Sequence, residues 1–175
     1  MSEPSQRLRD PQTVEDLLLY RLGRLYATAG SMVVRLCEGE FGITRREWRF
    51  IGWLGGAGPT QPSVLAERAA LDRARTSRTL STLTAKGLVS RVPLPRDRRL
   101  IVVDLTDAGR ALYARILPRV AALNRELLAG LDDATLATLT QALDTLQSRA
   151  TGLLTTTPLP KAERRRGRSG FTSHR

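Results

Sequence analysis

The apolar residues of this chain switch from helical to extended spacing at Gly87, and this switch constrains the fold more than any other feature. Residues 73–86 keep their apolar side chains three and four positions apart, which predicts a helix. Two short runs rich in β-branched residues follow at 88–92 and 100–105, and a turn of Pro and charged residues separates them at 93–99. This order predicts a helix that leads directly into a β-hairpin.

The rest of the chain is predicted to be largely helical. We expect the first helix to run from Val14 until Gly39 and Gly42, and the second to stop at Gly55-Gly56 and Gly58-Pro59. Pro118 should kink the long helix after the hairpin, because it removes a hydrogen bond and clashes with the preceding turn. Side chains that can cap a helix N-terminus are Thr44 (with Glu47 in a capping box), Ser63, Asp72, Thr106 and Asp132 or Asp133.

Positive charge dominates the chain, and its net excess lies in two blocks. The 175 residues include 28 Lys and Arg against 17 Asp and Glu, a formal net charge of +11, and only Lys86 and Lys161 are lysines. Residues 68–99 hold nine cations and two carboxylates, while residues 158–175 hold six cations and one carboxylate. Genomic base composition can enrich Arg, but so basic a chain favours a polyanionic partner, most often nucleic acid.

The helix and the hairpin carry the candidate DNA-binding groups. The outward face of the helix holds cations and donors that a major groove admits: Arg73, Arg75, Ser77, Arg78, Thr79 and Thr82. The hairpin tip holds Arg96, Asp97, Arg98 and Arg99. An Arg on an extended loop fits the narrow minor groove of A·T-rich DNA, and Asp97 would brace Arg99 or the turn. Alone, such a turn is also an ordinary charged loop, and the helix beside it favours the DNA interpretation.

These elements predict a mainly α fold with a small β-hairpin: a winged helix-turn-helix flanked by long N- and C-terminal dimerisation helices. The predicted regions are a flexible N-terminus at 1–12, a dimerisation helix at 13–42, a DNA-binding region at 43–105, C-terminal dimerisation helices at 106–155 and a disordered basic tail at 156–175. Dimerisation is expected because the apolar stripes of the terminal helices are too extensive for one small core. In the last helix the stripe is Leu136, Leu139, Leu143, Leu146 and Leu153.

Several of these stretches occur together in a fixed order. They are Ile43 to Arg49, residues 83–91 (Leu-Thr-Ala-Lys-Gly-Leu-Val-Ser-Arg), Asp97-Arg98-Arg99 and residues 105–109 (Leu-Thr-Asp-Ala-Gly). As a set they resemble the MarR family of bacterial transcriptional regulators. The resemblance covers roughly residues 14–150 and implies a homodimeric winged-helix protein that binds pseudo-palindromic operators, usually as a repressor released by a ligand. By position it implies that Arg99 is a minor-groove arginine, Asp97 its brace and residues 73–82 the reading face.

The resemblance also implies an effector, a small aromatic acid held between the dimerisation helices and the DNA-binding lobe. Arg21 and Arg24 lie in an apolar stretch of the first helix and could clamp a carboxylate, and Trp48 and Trp53 could supply aromatic walls. The alternative is that both Arg are solvated or paired and both Trp are core residues. Cys37 is a second candidate trigger, as a redox sensor, although a lone Cys is usually a small buried hydrophobe.

Other classes of function have less support. A nonspecific or architectural DNA-binding protein would use the same charge, and salt would weaken its binding to every sequence equally. No residue set typical of catalysis, a metal or a cofactor is apparent, since the only His is His174. Residues 1–10 are polar, and no apolar run approaches the ~18 residues of a membrane span, so we expect a cytoplasmic protein that makes no membrane contact.

Overall fold

The computed structural model describes residues 4–69, 71–94, 97–158 and 160. Its elements are α1 (Pro4–Arg9), a 3-10 turn (Val14–Asp16), α2 (Leu18–Phe41), α3 (Arg45–Ala57), α4 (Pro62–Arg68), α5 (Arg73–Ala85), β1 (Val89–Leu94), β2 (Asp97–Leu105), α6 (Asp107–Leu128) and α7 (Asp133–Thr156). The chain divides into two compact units, residues 1–129 and residues 130–175. The predicted fold class, mainly α with one β-hairpin after a helix-turn-helix, is confirmed.

The core of the first unit lies where α3, α5 and the hairpin meet the end of α2 and the middle of α6. Its fully buried side chains are Cys37, Phe50, Ile51, Leu54, Leu65, Leu80, Leu83, Val89, Val103, Leu105 and Ile116. Thr76, Leu80 and Leu83 are buried on α5, as the helical spacing predicted. Only the last turns of α2 reach this core. Leu22 and Leu25, near the start of the helix, are exposed, as is Leu17 just before it.

Most of the predicted helix starts are confirmed by their caps. Thr44 Oγ1 accepts a hydrogen bond from Glu47 N at 3.2 Å, and Glu47 Oε2 accepts one from Thr44 N at 2.7 Å. Asp72, Thr106 and Asp132 likewise accept from the backbone N–H three positions on. Ser63 was the wrong cap: α4 begins at Pro62, after Gln61, whose side chain makes no cap hydrogen bond.

The predicted start of α2 was wrong, and its predicted end was right at Gly42 but not at Gly39. The helix begins at Leu18 rather than Val14, because Leu17 is extended and a 3-10 turn precedes it. It continues through Gly39 and ends at Gly42, which has a φ of 62°. Residues of the expected flexible N-terminus form the short helix α1.

The predicted stop of α3 at Gly55-Gly56 was wrong, and the predicted stop at Gly58-Pro59 was right. The helix passes through Gly55 and Gly56 and stops at Gly58, which has a φ of 79°. A glycine in helical conformation only weakens a helix, whereas a positive φ ends it. Helix α6 is continuous through Pro118, and the kink there stays a prediction.

The hairpin strands are longer than predicted, which shortens the turn expected at 93–99. Strands β1 and β2 are antiparallel with Val89 opposite Leu105, and the register shifts between Pro93 and Leu94. In the second unit no described residue of α7 is buried. Its leucine stripe was predicted to point inward and is exposed in the single chain, because one amphipathic helix has no core of its own.

Candidate nucleic-acid interface

Helix α5 carries the predicted reading face, and its other side anchors it in the core. The inward side consists of Thr76, Thr79, Leu80 and Leu83. The exposed side presents Arg73, Arg75, Ser77, Arg78 and Thr82. A helix anchored along one side can offer a rigid polar face to a partner.

Thr79 does not belong to the exposed face, so that part of the prediction was wrong. It is 6% exposed, and its Oγ1 donates to the Arg75 carbonyl at 2.9 Å. Its position follows the spacing of the buried face, although its residue type is common on surfaces. Two exposed residues on the reading side, Ala74 and Ser81, were missed, and helical spacing places both beside Arg78.

The arginines of this face differ in their carboxylate contacts. Arg75 Nε lies 3.5 Å from Asp72 Oδ2, in a pair that is exposed on both sides. Exposed pairs of this kind contribute about 0–1 kcal/mol, so Arg75 can exchange its partner. Across the part of the chain that the structure describes, Arg73 and Arg78 form no ion pair. Their guanidinium groups are therefore available to phosphates or base edges.

The base of the hairpin is tied to two neighbouring elements. Thr60 and Val103 exchange two backbone hydrogen bonds of 3.0 and 2.8 Å. Asp104 on β2 accepts from both terminal nitrogens of Arg110 on α6, each at 3.3 Å. These contacts orient the strands that lead to the predicted wing tip.

The wing tip itself is described only in part. Asp97, Arg98 and Arg99 form the start of β2. The side chains of these three, and the whole of Arg96, lie outside the described residues. Their proposed contacts with a minor groove stay predictions.

A cavity of about 270 Å³ lies beneath the start of α5, against α4 and β1. It is lined by Pro62, Ser63, Ala66, Arg73, Thr76, Ser77, Leu80 and Arg91. Thr76 Oγ1 is buried there and has no hydrogen-bond partner among the described residues. Apolar walls with two guanidinium groups and a free hydroxyl suit a small carboxylate. The sequence did not predict this cavity or Arg91, because three separate elements form it.

The four predicted effector residues differ in burial and in their contacts. Arg21 and Arg24 are exposed on α2. Trp48 is 8% exposed and stacks on Tyr113 with ring centroids 6.0 Å apart, while Trp53 packs against the Arg68 guanidinium at 4.6 Å. That these four residues form one cleft stays a prediction, and the core alternative was right for Trp48.

Two features of other protein classes are absent from the described part of the chain. No three His, Cys, Asp or Glu side chains there are grouped to hold a metal ion. None of its helices is both long and apolar enough to cross a membrane.

Comparison with known proteins bears on this helix–hairpin arrangement. Residues 41–100, which contain α3, α4, α5 and most of the hairpin, match the sequence profile of the MarR family. Over these residues the chain is similar to the MarR family of transcriptional regulators. The resemblance inferred from 83–91, 97–99 and 105–109 is thereby confirmed.

The similarity to individual proteins is more distant. Over 61 residues the chain is 36% identical to the HTH-type transcriptional repressor NicR of Pseudomonas putida. The matched segment makes up 35% of this chain and 39% of NicR. The match thus spans about two fifths of that relative. A MarR/EmrR family regulator from Acinetobacter sp. ADP1 superimposes with a TM-score of 0.75 at 22% identity, covering 80% of this chain and 99% of the other. Streptococcus pneumoniae FabT, solved in complex with DNA, has a TM-score of 0.67 at 20% identity, with 85% and 99% coverage. At such identities the two structures show the fold.

Proposed function

We propose that this protein is a member of the MarR family: a homodimeric, sequence-specific DNA-binding transcriptional regulator that acts in the cytoplasm as a repressor. The observation that carries the proposal is the exposed face of α5, with Arg73 and Arg78 outside any described ion pair on a helix anchored in the core. The name of NicR, a repressor, and the FabT complex with DNA support it by similarity. In this proposal α5 enters the major groove and Arg96 to Arg99 contact the adjacent minor groove.

A binding titration separates this proposal from nonspecific DNA binding. A duplex is selected by the wild-type protein from random-sequence DNA, and its affinity is compared with that of a scrambled duplex at two salt concentrations. We expect a preference for the selected duplex that persists at the higher salt, with two protected half-sites about one turn, ~34–36 Å, apart. Equal and equally salt-sensitive affinities would favour the nonspecific alternative instead.

The reading face is tested with Arg78→Ala. A base contact by Arg is worth about 1–3 kcal/mol, so we expect a loss of roughly 5- to 150-fold in affinity for the selected duplex. Arg125→Ala, at an exposed position on α6, removes the same charge and controls for the net electrostatic effect. Equal losses in the two variants would rule out α5 as the reading face, and Arg99→Ala tests the wing in the same titration.

We further propose that a small aromatic carboxylate binds the cavity beneath α5 and releases the protein from DNA. Arg73, Ser77 and Arg91 border the cavity, and the first two also belong to the exposed face of α5. A ligand there would therefore compete directly for groups that contact DNA. The probes are benzoate and 2-hydroxybenzoate, added to the complex with the selected duplex.

Arg91→Ala tests where such a ligand binds. We expect the variant to keep its affinity for the selected duplex within a few-fold but to require at least about tenfold more carboxylate for release, since a charge-assisted bidentate contact is lost. Arg21→Ala is the matched control, because the first helix was the original candidate site. If Arg21→Ala raises the carboxylate concentration required for release more than Arg91→Ala does, the effector binds at α2 instead.

A further inference from the structure

Lys86 stands in the basic block that is proposed to face DNA, yet its ammonium group is bound by the protein. The residue follows the last turn of α5 and caps it. Its Nζ donates to Glu47 Oε2 at 3.0 Å and to the Gly42 carbonyl at 3.0 Å. The three groups come from the end of α5, the start of α3 and the end of α2, which are 39 and 44 residues apart in sequence.

Glu47 depends on this contact. Its side chain is 4% exposed, whereas that of Lys86 is 35% exposed. Oε2 also accepts from Thr44 N, and Oε1 is buried without a hydrogen-bond partner among the described residues. Because a buried carboxylate is costly without a counter-charge, Lys86 is the cation that makes this position of Glu47 tolerable.

Helix α3 is bonded to the chain on both sides of α5, at the C-cap of α4 and at the C-cap of α5. Before α5 begins, Arg49 Nη2 donates to the Ala69 carbonyl at 2.9 Å. After α5 ends, Lys86 is bound to Glu47, half a turn of α3 from Arg49. Two tethers on one helix fix both the position and the direction of the reading helix.

We propose that Lys86 is a positioning residue for DNA recognition, which fixes α5 against α3 and does not contact a phosphate. The proposal rests on the proposed function. The competing assignment is that Lys86, like the arginines around it, neutralises a phosphate. The two assignments differ in their effect on specificity and on salt dependence.

The first variant is Lys86→Met, which keeps most of the aliphatic stem and removes the charge. A positioning role predicts about a tenfold or greater loss of affinity for the selected duplex, with little change for the scrambled duplex. The slope of log K against log salt on the scrambled duplex stays the same. A phosphate contact predicts similar losses on both duplexes and a slope reduced by about 0.9. Arg125→Met, with its exposed cation on another helix, shows the effect of net charge alone.

The two assignments predict opposite effects of Glu47→Gln on DNA binding. It removes the carboxylate charge, retains an acceptor for Thr44 N and leaves Lys86 in place. If Lys86 positions α5, discrimination between selected and scrambled duplexes falls. If Lys86 contacts phosphate, releasing it from Glu47 leaves or raises the affinity for both duplexes, and that result would overturn the proposal.

A third measurement needs no DNA. Lys86→Met and Glu47→Gln are each expected to lower Tm, and the double variant should lose less than the sum because the two residues are coupled. Additive losses would overturn the proposal. A wild-type protein that prefers no selected duplex would overturn the proposed function and the positioning role together. Losses in Lys86→Met equal on the two duplexes overturn the positioning role alone.

Discussion

At the scale of single residues, Cys37 decides whether a redox trigger is available. The thiol is fully buried at the end of α2. Burial raises the pKa of Cys37 to about 11; nearby Glu38 adds to the increase and Arg45 opposes it. Redox-sensing cysteines react as thiolates, and they are accessible and of low pKa. The environment of Cys37 therefore disfavours the redox-responsive alternative.

We predict that native Cys37 is inert toward a thiol reagent such as DTNB. With a pKa three units above pH 8, only roughly 0.1% of the thiol is ionised there, and burial excludes the reagent as well. The labelling rate should rise with pH toward the raised pKa, and one equivalent should react once the protein is denatured. The chain has one Cys, so Cys37→Ser is a complete control. Rapid stoichiometric labelling of the folded protein at pH 7 would restore the redox hypothesis.

At the scale of elements, α3 and α6 pack closely at a glycine. A Cβ placed on Gly55 would lie 2.6–2.7 Å from ring atoms of Tyr113 on α6. That ring cannot move freely, because it also stacks on Trp48. The neighbouring Gly56, in the same last turn of α3, has open space at its Cβ position. Close packing of α3 on α6 therefore requires a glycine at position 55 but not at position 56.

We predict opposite effects on stability for Gly55→Ala and Gly56→Ala. The first should lose about 1–3 kcal/mol by overpacking against Tyr113. The second should gain up to about 1 kcal/mol, because Ala is the better helix former. For a chain of this length 1 kcal/mol corresponds to a shift of about 2–4 °C in Tm, which calorimetry resolves. Equal shifts in the two variants would mean that α3 and α6 are not in contact at Gly55.

How far the sequence predicts these elements depends on the range of the interaction. A cap such as Asp72 bonds to a backbone N–H only three positions away in sequence, so the helix start that it marks was predicted. Thr79 was also locally decidable, since its spacing is that of the core face, but its polar type outweighed the spacing in our prediction. The Lys86–Glu47 pair and the cavity at Arg91 were not predictable, because they join residues from separate elements and depend on how those elements pack.

At the scale of the whole molecule, a large apolar surface is left uncovered in one copy of the chain. Leu19 on α2 is 81% exposed and Leu154 on α7 is 78% exposed, and further exposed leucines lie on each helix, with Tyr20 and Tyr26 on α2. Soluble monomers rarely expose extended apolar patches of this kind. A second copy of the chain would cover them, which supports the proposed homodimer. The net charge of +11 opposes close association, so the apolar contact must outweigh that repulsion.

We predict that the protein is a dimer with twice the chain mass of 19.3 kDa, and that Leu19→Glu with Leu22→Glu makes it a monomer. The double change removes four leucines per dimer, each worth about 1.5–3 kcal/mol when buried, and places four carboxylates in the contact. Sedimentation equilibrium measures the mass. Ser63→Glu, at an exposed position on α4, adds the same charge per site and should leave the dimer intact.

A dimer that survives the double change would place the contact away from the start of α2. A monomeric wild-type chain would remove the reason for two half-sites one turn apart, because a single α5 can occupy only one major groove.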